Sequence, residues 1–237
     1  MDRCSSTNDY LLYRPPPPQD KFNLCVAYTQ SAGRGRHGKT WHSDHPGIYL
    51  SVSWQVTDQI TNDGWLLLTT AMRLAESLQA LGIRDLGIKW PNDLYYKNAK
   101  LAGMLIELHG DIAIMGIGLN ITTPNQAVND SKIHWVGLDK TTIAMPTYTQ
   151  LLTLVVTAVL KVCKPIIVKE NKELFSKFDV LYNQSIEIEH KGKKVSVIAK
   201  GIDHKARLLV EYNGQIKAYS YAETKVYNDQ IIDRYRQ

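Results

Sequence analysis

Residues 33–40 read Gly33-Arg34-Gly35-Arg36-His37-Gly38-Lys39-Thr40, and Trp41 follows. The stretch satisfies the P-loop pattern G-x-x-x-x-G-K-[ST], the dinucleotide fingerprint G-x-G-x-x-G, and the longer pattern G-R-G-R-x-G-x-x-W. All three point to an anion, but each belongs to a different fold, so the flanks decide. A P-loop needs a strand before it and a helix after it, so that the helix N-terminus faces phosphate. The strand is there: 23–30 (NLCVAYTQ) is apolar and bounded by turn residues. The helix is not. Trp41-His-Ser-Asp-His-Pro-Gly47 has loop composition. Then Ile48, Leu50, Val52, Trp54 and Val56 alternate with Tyr49, Ser51, Ser53 and Gln55, the period of a strand. Strand–loop–strand excludes both nucleotide folds, although Asp58 sits near the acidic spacing of the second. Arg34 and Arg36 are also large for a loop that wraps phosphate tightly. What remains is a mobile basic loop between two strands. A solvated glycine-rich turn with incidental charge is the plainer alternative.

Three further clusters argue against that alternative. They are Ser6-Thr7-Asn8, then Lys89-Trp90-Pro91-Asn92-Asp93 with Lys100-Leu-Ala-Gly103-Met-Leu-Ile-Glu107, and then Gly116-Ile-Gly118-Leu-Asn120. Together with G-R-G-R-x-G-x-x-W, and in this order, they resemble the biotin protein ligases. The resemblance runs from about Ser6 to the C-terminus and is densest from Gln30 to Asn120. The pairing of K-W-P-N-D with K-L-A-G is its specific part.

Around these motifs the chain reads as α+β, a mixed, largely antiparallel sheet with helices. Ser6 or Thr7 caps a short helix to Tyr13, and Pro15–Pro18 ends it. Strands are expected at 23–30, 48–56, 86–90, 101–108 and 112–121, and helices at 64–81, 148–162 and 168–182. Residues 122–147 are polar and carry no clear period. From Ser185 the composition shifts to short strands at 185–189, 194–202, 207–213 and 215–221, separated by Lys-Gly-Lys and Asn-Gly turns. The resemblance sharpens this to a class II synthetase-like catalytic domain over 1–183 and a small SH3-like β-barrel over 184–237.

Composition bounds the rest. The 237 residues are 44% hydrophobic and 22% charged, ordinary for a globular protein. A net charge of +5 is far from a polybasic nucleic-acid arm. Cys4, Cys25 and Cys163 show neither zinc nor disulfide spacing, which fits a reducing, cytoplasmic compartment. No stretch is apolar enough for a membrane span, and no signal peptide is expected.

The resemblance implies an ATP-dependent ligase. It would activate biotin to biotinyl-5'-AMP and transfer it to a lysine of a biotin carboxyl carrier domain, with Mg²⁺ screening the triphosphate. Ser6, Thr7, Asn8 and Gln30 would bind the ureido ring. Gly33, Arg34, Gly35 and Arg36 would close over biotin and the adenylate. Trp41 would pack on adenine, or only in the core. Lys100 would bridge the biotin carboxylate and the α-phosphate. Gly103, Gly116 and Gly118 would let the strands approach the ligand, and Asn92 and Asn120 would bind nucleotide or metal. Asp93 would take the acceptor lysine's proton, or only orient Lys89 or Lys100.

Two departures stand out. Only five residues precede Ser6, where many members have a short strand, and no DNA-binding domain fits, so no DNA partner is expected. The tail has Tyr219-Ser-Tyr-Ala-Glu223 where some relatives have a glycine-rich turn. The alternatives are a lipoate–protein ligase, which exchange of pyrophosphate would separate, and a non-catalytic biotin-sensing or nucleic-acid-binding protein.

Overall fold

The alternating segment after the glycine loop is strand β4, Gly47–Gln55, and it pairs antiparallel on both sides. A computed structural model describes residues 1–56, 63–124, 134–141, 143–162, 168–190, 192–220 and 225–227. Its elements in order are β1 (Arg3–Cys4), α1 (Thr7–Leu12), β2 (Asn23–Ala27), β3 (Thr29–Gln30), β4, α2 (Asp63–Ala80), β5 (Leu86–Lys89), β6 (Asp93–Tyr96), β7 (Ala99–His109), β8 (Ile112–Asn120), α3 (Tyr148–Val162), α4 (Val168–Phe178), β9 (Ser185–His190), β10 (Lys193–Ile202), β11 (Leu208–Tyr212), β12 (Gln215–Tyr219) and β13 (Lys225–Tyr227). The larger sheet runs β2-β4-β8-β7-β6-β5, antiparallel throughout.

Both faces of β4 are covered. Ile48, Leu50, Val52 and Trp54 enter the main core with Leu67, Leu68, Ala71, Ala75 and Leu78 of α2. Tyr49, Ser51 and Ser53 point the other way and are also buried. The polar phase of the strand is therefore an interior, not a solvated face, and α1 lies on that side. This places polar side chains under cover, where hydrogen bonds must satisfy them.

Several boundaries differ from the sequence expectation. The segment 23–30 breaks at Tyr28, because Gln30 turns away to pair in parallel with Cys4. The short strand before Ser6, expected to be missing, is thus present as β1. Helix α4 stops at Phe178, four residues early, because the chain leaves it to join β5: the Val180 amide donates to Ile88 O at 3.2 Å. Strand β6 was not anticipated; its four residues are too short to show a period, and a register shift follows Leu94. Asp58, Cys163 and most of Tyr219–Glu223 lie outside the described residues.

The second sheet has the order β12-β11-β10-β9-β13 and is antiparallel. Its inward residues Ile186, Ile188, Val197, Ala199, Leu208 and Val210 belong to the same core as the larger sheet. Two tryptophans, one on α2 and one just after β5, tie the second sheet's turn to the rest of the chain. Trp65 Nε1 donates to His204 O at 3.0 Å, and Trp90 Nε1 donates to Ala206 O at 2.9 Å.

The turn presenting those carbonyls is built by Asp203. Its carboxylate accepts from the Lys205 and Arg207 amides at 2.8 and 2.9 Å, and from Arg207 Nε at 2.7 Å. Burial pushes this carboxyl upward, but the Arg207 and Lys205 hydrogen bonds outweigh it and hold it below the usual range. A depressed carboxyl stabilises the fold above its unfolded value, about pH 4. That stabilisation is lost as pH falls through the folded value. Asp203→Asn is therefore expected to lower Tm at pH 7 by roughly 2–4 °C and to lower it less near pH 3. Thermal unfolding across that range checks it. An equal decrement at both pH values would show that the charge contributes nothing.

Candidate active site

One cleft of about 360 Å³ gathers the motifs. Its first end is built by the start of α1. Ser6 caps the helix, its Oγ accepting from the Asp9 amide at 3.3 Å. The cap sets the next two side chains inward. Gln30 Oε1 accepts from the Thr7 amide at 2.8 Å and from Thr7 Oγ1 at 3.1 Å, while Gln30 Nε2 donates to Ser43 Oγ at 3.2 Å. Ser51 reaches up from β4 to Thr7 Oγ1 at 2.7 Å and to Asn8 Oδ1. Asn8 Nδ2 donates to Glu107 at 2.7 Å. A Cβ at Gly116 would overlap Asn8 Oδ1, so that glycine gives the amide its seat. This end offers a fixed pattern of donors and acceptors to a small polar head group.

The glycine loop forms the lid side. It contains a 3-10 turn at Arg36–Gly38, with His37 (φ 54°) and Gly38 (φ 71°) both left-handed. Gly38 relieves that cost; a histidine accepts it only when the surroundings hold it. The Gly35 amide donates to Lys39 O at 2.7 Å, closing the loop on itself. Arg36 Nη1 donates to Asn92 Oδ1 at 3.4 Å.

The second end carries the buried cation. Lys100 Nζ lies 2.7 Å from Asp93 Oδ1, an ion pair whose approach is off the line of a hydrogen bond. It also sits over the rings of Trp41 and Trp135, at 5.1 and 5.2 Å. Those indoles meet edge to face at 5.1 Å. Neither Nε1 has a partner among the described residues. Asn92 is clamped on β7: its Nδ2 donates to Met104 O at 2.7 Å, and its O accepts from the Met104 amide at 2.9 Å. An ammonium under aromatic faces with a carboxylate beside it can meet a negative charge that develops in the cleft.

Most residues singled out in the sequence line this cleft: Ser6, Thr7, Asn8, Gln30, Arg34, Gly35, Arg36, Trp41, Asn92, Asp93, Lys100, Gly103, Gly116 and Gly118. Gly33 and Asn120 do not. A Cβ on Gly33 would press on Trp41 O and Ser43 Oγ, so this glycine serves the packing behind the loop. Asn120 is wholly buried. Its Nδ2 donates to Val136 O at 3.1 Å and its Oδ1 takes His45 Nε2 at 3.2 Å, which seats the segment bearing Trp135. The glycines of β7 and β8 line the cleft and also admit side chains of the chain itself. Gly103 and Gly118 make room for the Trp41 ring, which would collide with a Cβ at either. Trp41 thus rests on the sheet between those strands.

Sequence reasoning missed Ser43, Ser51, Glu107 and Trp135. Ser51 was visible in the polar phase of β4, and Glu107 in the K-L-A-G run. Trp135 lay in the segment without a period, and its place comes from pairing: Lys100 N donates to His134 O and Val136 N to Lys100 O.

Residues 1–121, just over half of the chain, match the model of the Biotin/lipoate A/B protein ligase family. The bifunctional ligase/repressor BirA of Escherichia coli is 32% identical over 226 residues, which span 92% of this chain and 70% of that protein. The chain belongs to this family.

Other members agree with that membership. The biotin–[acetyl-CoA-carboxylase] ligase of Mycobacterium tuberculosis is 36% identical over 54% of this chain and 50% of its own. The structure of the Aquifex aeolicus biotin protein ligase in complex with biotin and ATP superposes with a TM-score of 0.80 at 24% identity, covering 96% of this chain and 97% of that one. The α+β fold of the biotin/lipoate ligases is therefore the fold of this chain. The family match spans all of the cleft-lining residues except Trp135.

Proposed function

We propose that the chain is an ATP-dependent biotin–protein ligase. The observation that carries it is one cleft with a fixed hydrogen-bonding pocket at one end and the Lys100–Asp93 pair, Arg36 and Asn92 at the other. The first end suits the ureido ring of biotin, whose N–H and C=O groups need both acceptors and donors. The second suits the point where a carboxylate meets a phosphate.

In the first step a biotin carboxylate oxygen bonds to the α-phosphorus of ATP, and pyrophosphate leaves. Two anions must approach, so Lys100 and Arg36 offset their repulsion. In the second step the ε-nitrogen of an acceptor lysine attacks the biotinyl carbonyl carbon. AMP leaves with the bond electrons, and the amine proton passes to a base. Asp93 is within the cleft for that role, and its hold on Lys100 makes it the orienting group as well. The nucleotide enters as its Mg²⁺ complex; the described residues contain no trio of His, Cys, Asp or Glu to hold a metal of their own. The acceptor is the lysine-bearing carrier domain of a biotin-dependent carboxylase. We further propose that residues 184–237 form an SH3-like domain beside a catalytic domain of 1–183. Free Cys4 and Cys25 fit a cytoplasmic location. No helix among the described residues is long and apolar enough to cross a membrane.

The test is pyrophosphate exchange into ATP with biotin or lipoate, followed by transfer to a biotin carboxyl carrier domain. Exchange is expected with biotin and not with lipoate. Exchange driven by lipoate, or by neither from folded protein, would overturn the reading.

A further inference from the structure

Arg34, which lines the cleft, is held there by two carboxylates. Its Nη2 lies 2.7 Å from Asp9 Oδ1 and 2.8 Å from Glu107 Oε2. Two carboxylates therefore face one guanidinium, and Arg34 adds no net positive charge to the cleft. The same Glu107 oxygen accepts from Asn8 Nδ2 at 2.7 Å. One atom on β7 thus ties down two separate segments, the glycine loop through Arg34 and the first turn of α1 through Asn8.

The Asn8 contact also fixes chemistry. A carboxylate only accepts hydrogen bonds, so it must face the amide NH₂. Asn8 Oδ1 is then directed to Ser51 Oγ and to the backbone at Gly116. Without Glu107 the amide could rotate and exchange donor for acceptor at the pocket.

We infer that Glu107 is a positioning residue for the proposed biotin reaction. It latches the glycine loop to the sheet through Arg34 and sets which face of the Asn8 amide the pocket presents. This rests on the ligase reading for the nature of the ligand, but the latch itself does not. The Glu107 side chain is 19% exposed and Arg34 39%, so the latch is open to solvent and screened by salt. It can therefore release and re-form as ligand enters.

Trypsin provides a readout independent of activity. To cut after Arg34 it must take that side chain into its own acidic pocket, which requires release from Asp9 and Glu107. In ligand-free Glu107→Gln, cleavage after Arg34 is expected to rise about tenfold, the factor for weakening a carboxylate–guanidinium contact to one with a neutral amide. Circular dichroism should stay unchanged. In exchange assays, KM for biotin should rise by a similar factor while kcat stays within about twofold, since Lys100 and Arg36 are untouched. Asp9→Asn separates the two duties: it should raise cleavage after Arg34 and leave the biotin KM near normal, because Asn8 keeps its partner. Unchanged cleavage after Arg34 in both variants would overturn the latch. A kcat loss with unchanged KM would overturn the Asn8 role. If the wild-type protein shows no biotin-dependent exchange, the ligase reading fails, while the cleavage result still decides the latch.

Discussion

Lys100→Ala is expected to slow biotinyl-adenylate formation by about two to three orders of magnitude, as for loss of one preorganised electrostatic donor. The ammonium is buried, paired with Asp93 at 2.7 Å and roofed by two indoles. Mobile water dipoles replace a preorganised cation poorly at the moment two anions meet. The substitution also leaves the Asp93 carboxylate, 18% exposed, without its cation. Asp93 then repels the incoming phosphate, which adds to the loss. Some stability falls too, and a Tm lower by a few degrees is expected. Single-turnover formation of biotinyl-5'-AMP, measured below the new Tm, separates the two effects. Adenylation near the wild-type rate would show that Lys100 is not the central cation.

Why Lys100 was legible, and Trp135 was not, has a physical reason. Lys100 was singled out by the K-L-A-G motif of the resemblance, and it lines the cleft as the second residue of β7. Such a pattern is written in consecutive residues. Trp135 reaches the cleft through backbone pairing with Lys100 across more than thirty intervening residues, and nothing local encodes that. The same contrast holds for β4. Its alternation predicted the strand and excluded the phosphate-binding folds, but not that its polar face would be covered by α1. Ser51 therefore looked like solvent surface until the helix was placed. Glycines are read in a similar way. Gly103, Gly116 and Gly118 all line the cleft and mark close approach, as expected of glycine in strands, and Trp41 and Asn8 are among the groups that come near. A missing Cβ says that something comes near; it does not say what. Asn120 shows the reverse case, since a polar residue beside a glycine motif turned out to satisfy a buried carbonyl.

Arg36→Gly is expected to turn the enzyme into one that leaks its intermediate. Biotinyl-5'-AMP is a mixed anhydride that reacts with water and with any amine, so it must be held in a closed site until the acceptor lysine arrives. The two arginines of the loop are set differently for this task. Arg34 is fixed between carboxylates at 2.7 and 2.8 Å, whereas the contacts of Arg36 to Asn92 and His37 are both 3.4 Å, at the long end of hydrogen-bond geometry. Guanidinium suits phosphate in a bidentate arrangement, so Arg36, already facing Asn92 across the cleft, is the loop side chain for that contact. Ordering the loop over the ligand costs about 1–2 kcal/mol per residue fixed, and on the proposed reading Arg36 on the phosphate would supply the contact that offsets it. Without that side chain, Lys100 still supports adenylation, Arg34 still anchors the base of the loop, and closure weakens. The adenylate then escapes and labels lysines by diffusion. The measurement is biotin on a bystander protein beside the true carrier domain, together with the rate at which adenylate leaves the enzyme. Bystander labelling and adenylate release should both rise by at least about tenfold, the factor for one charge-assisted contact, while adenylation persists at a reduced rate. Loss of all activity, or strict carrier specificity with unchanged adenylate retention, would show that the clasp lies elsewhere in the loop.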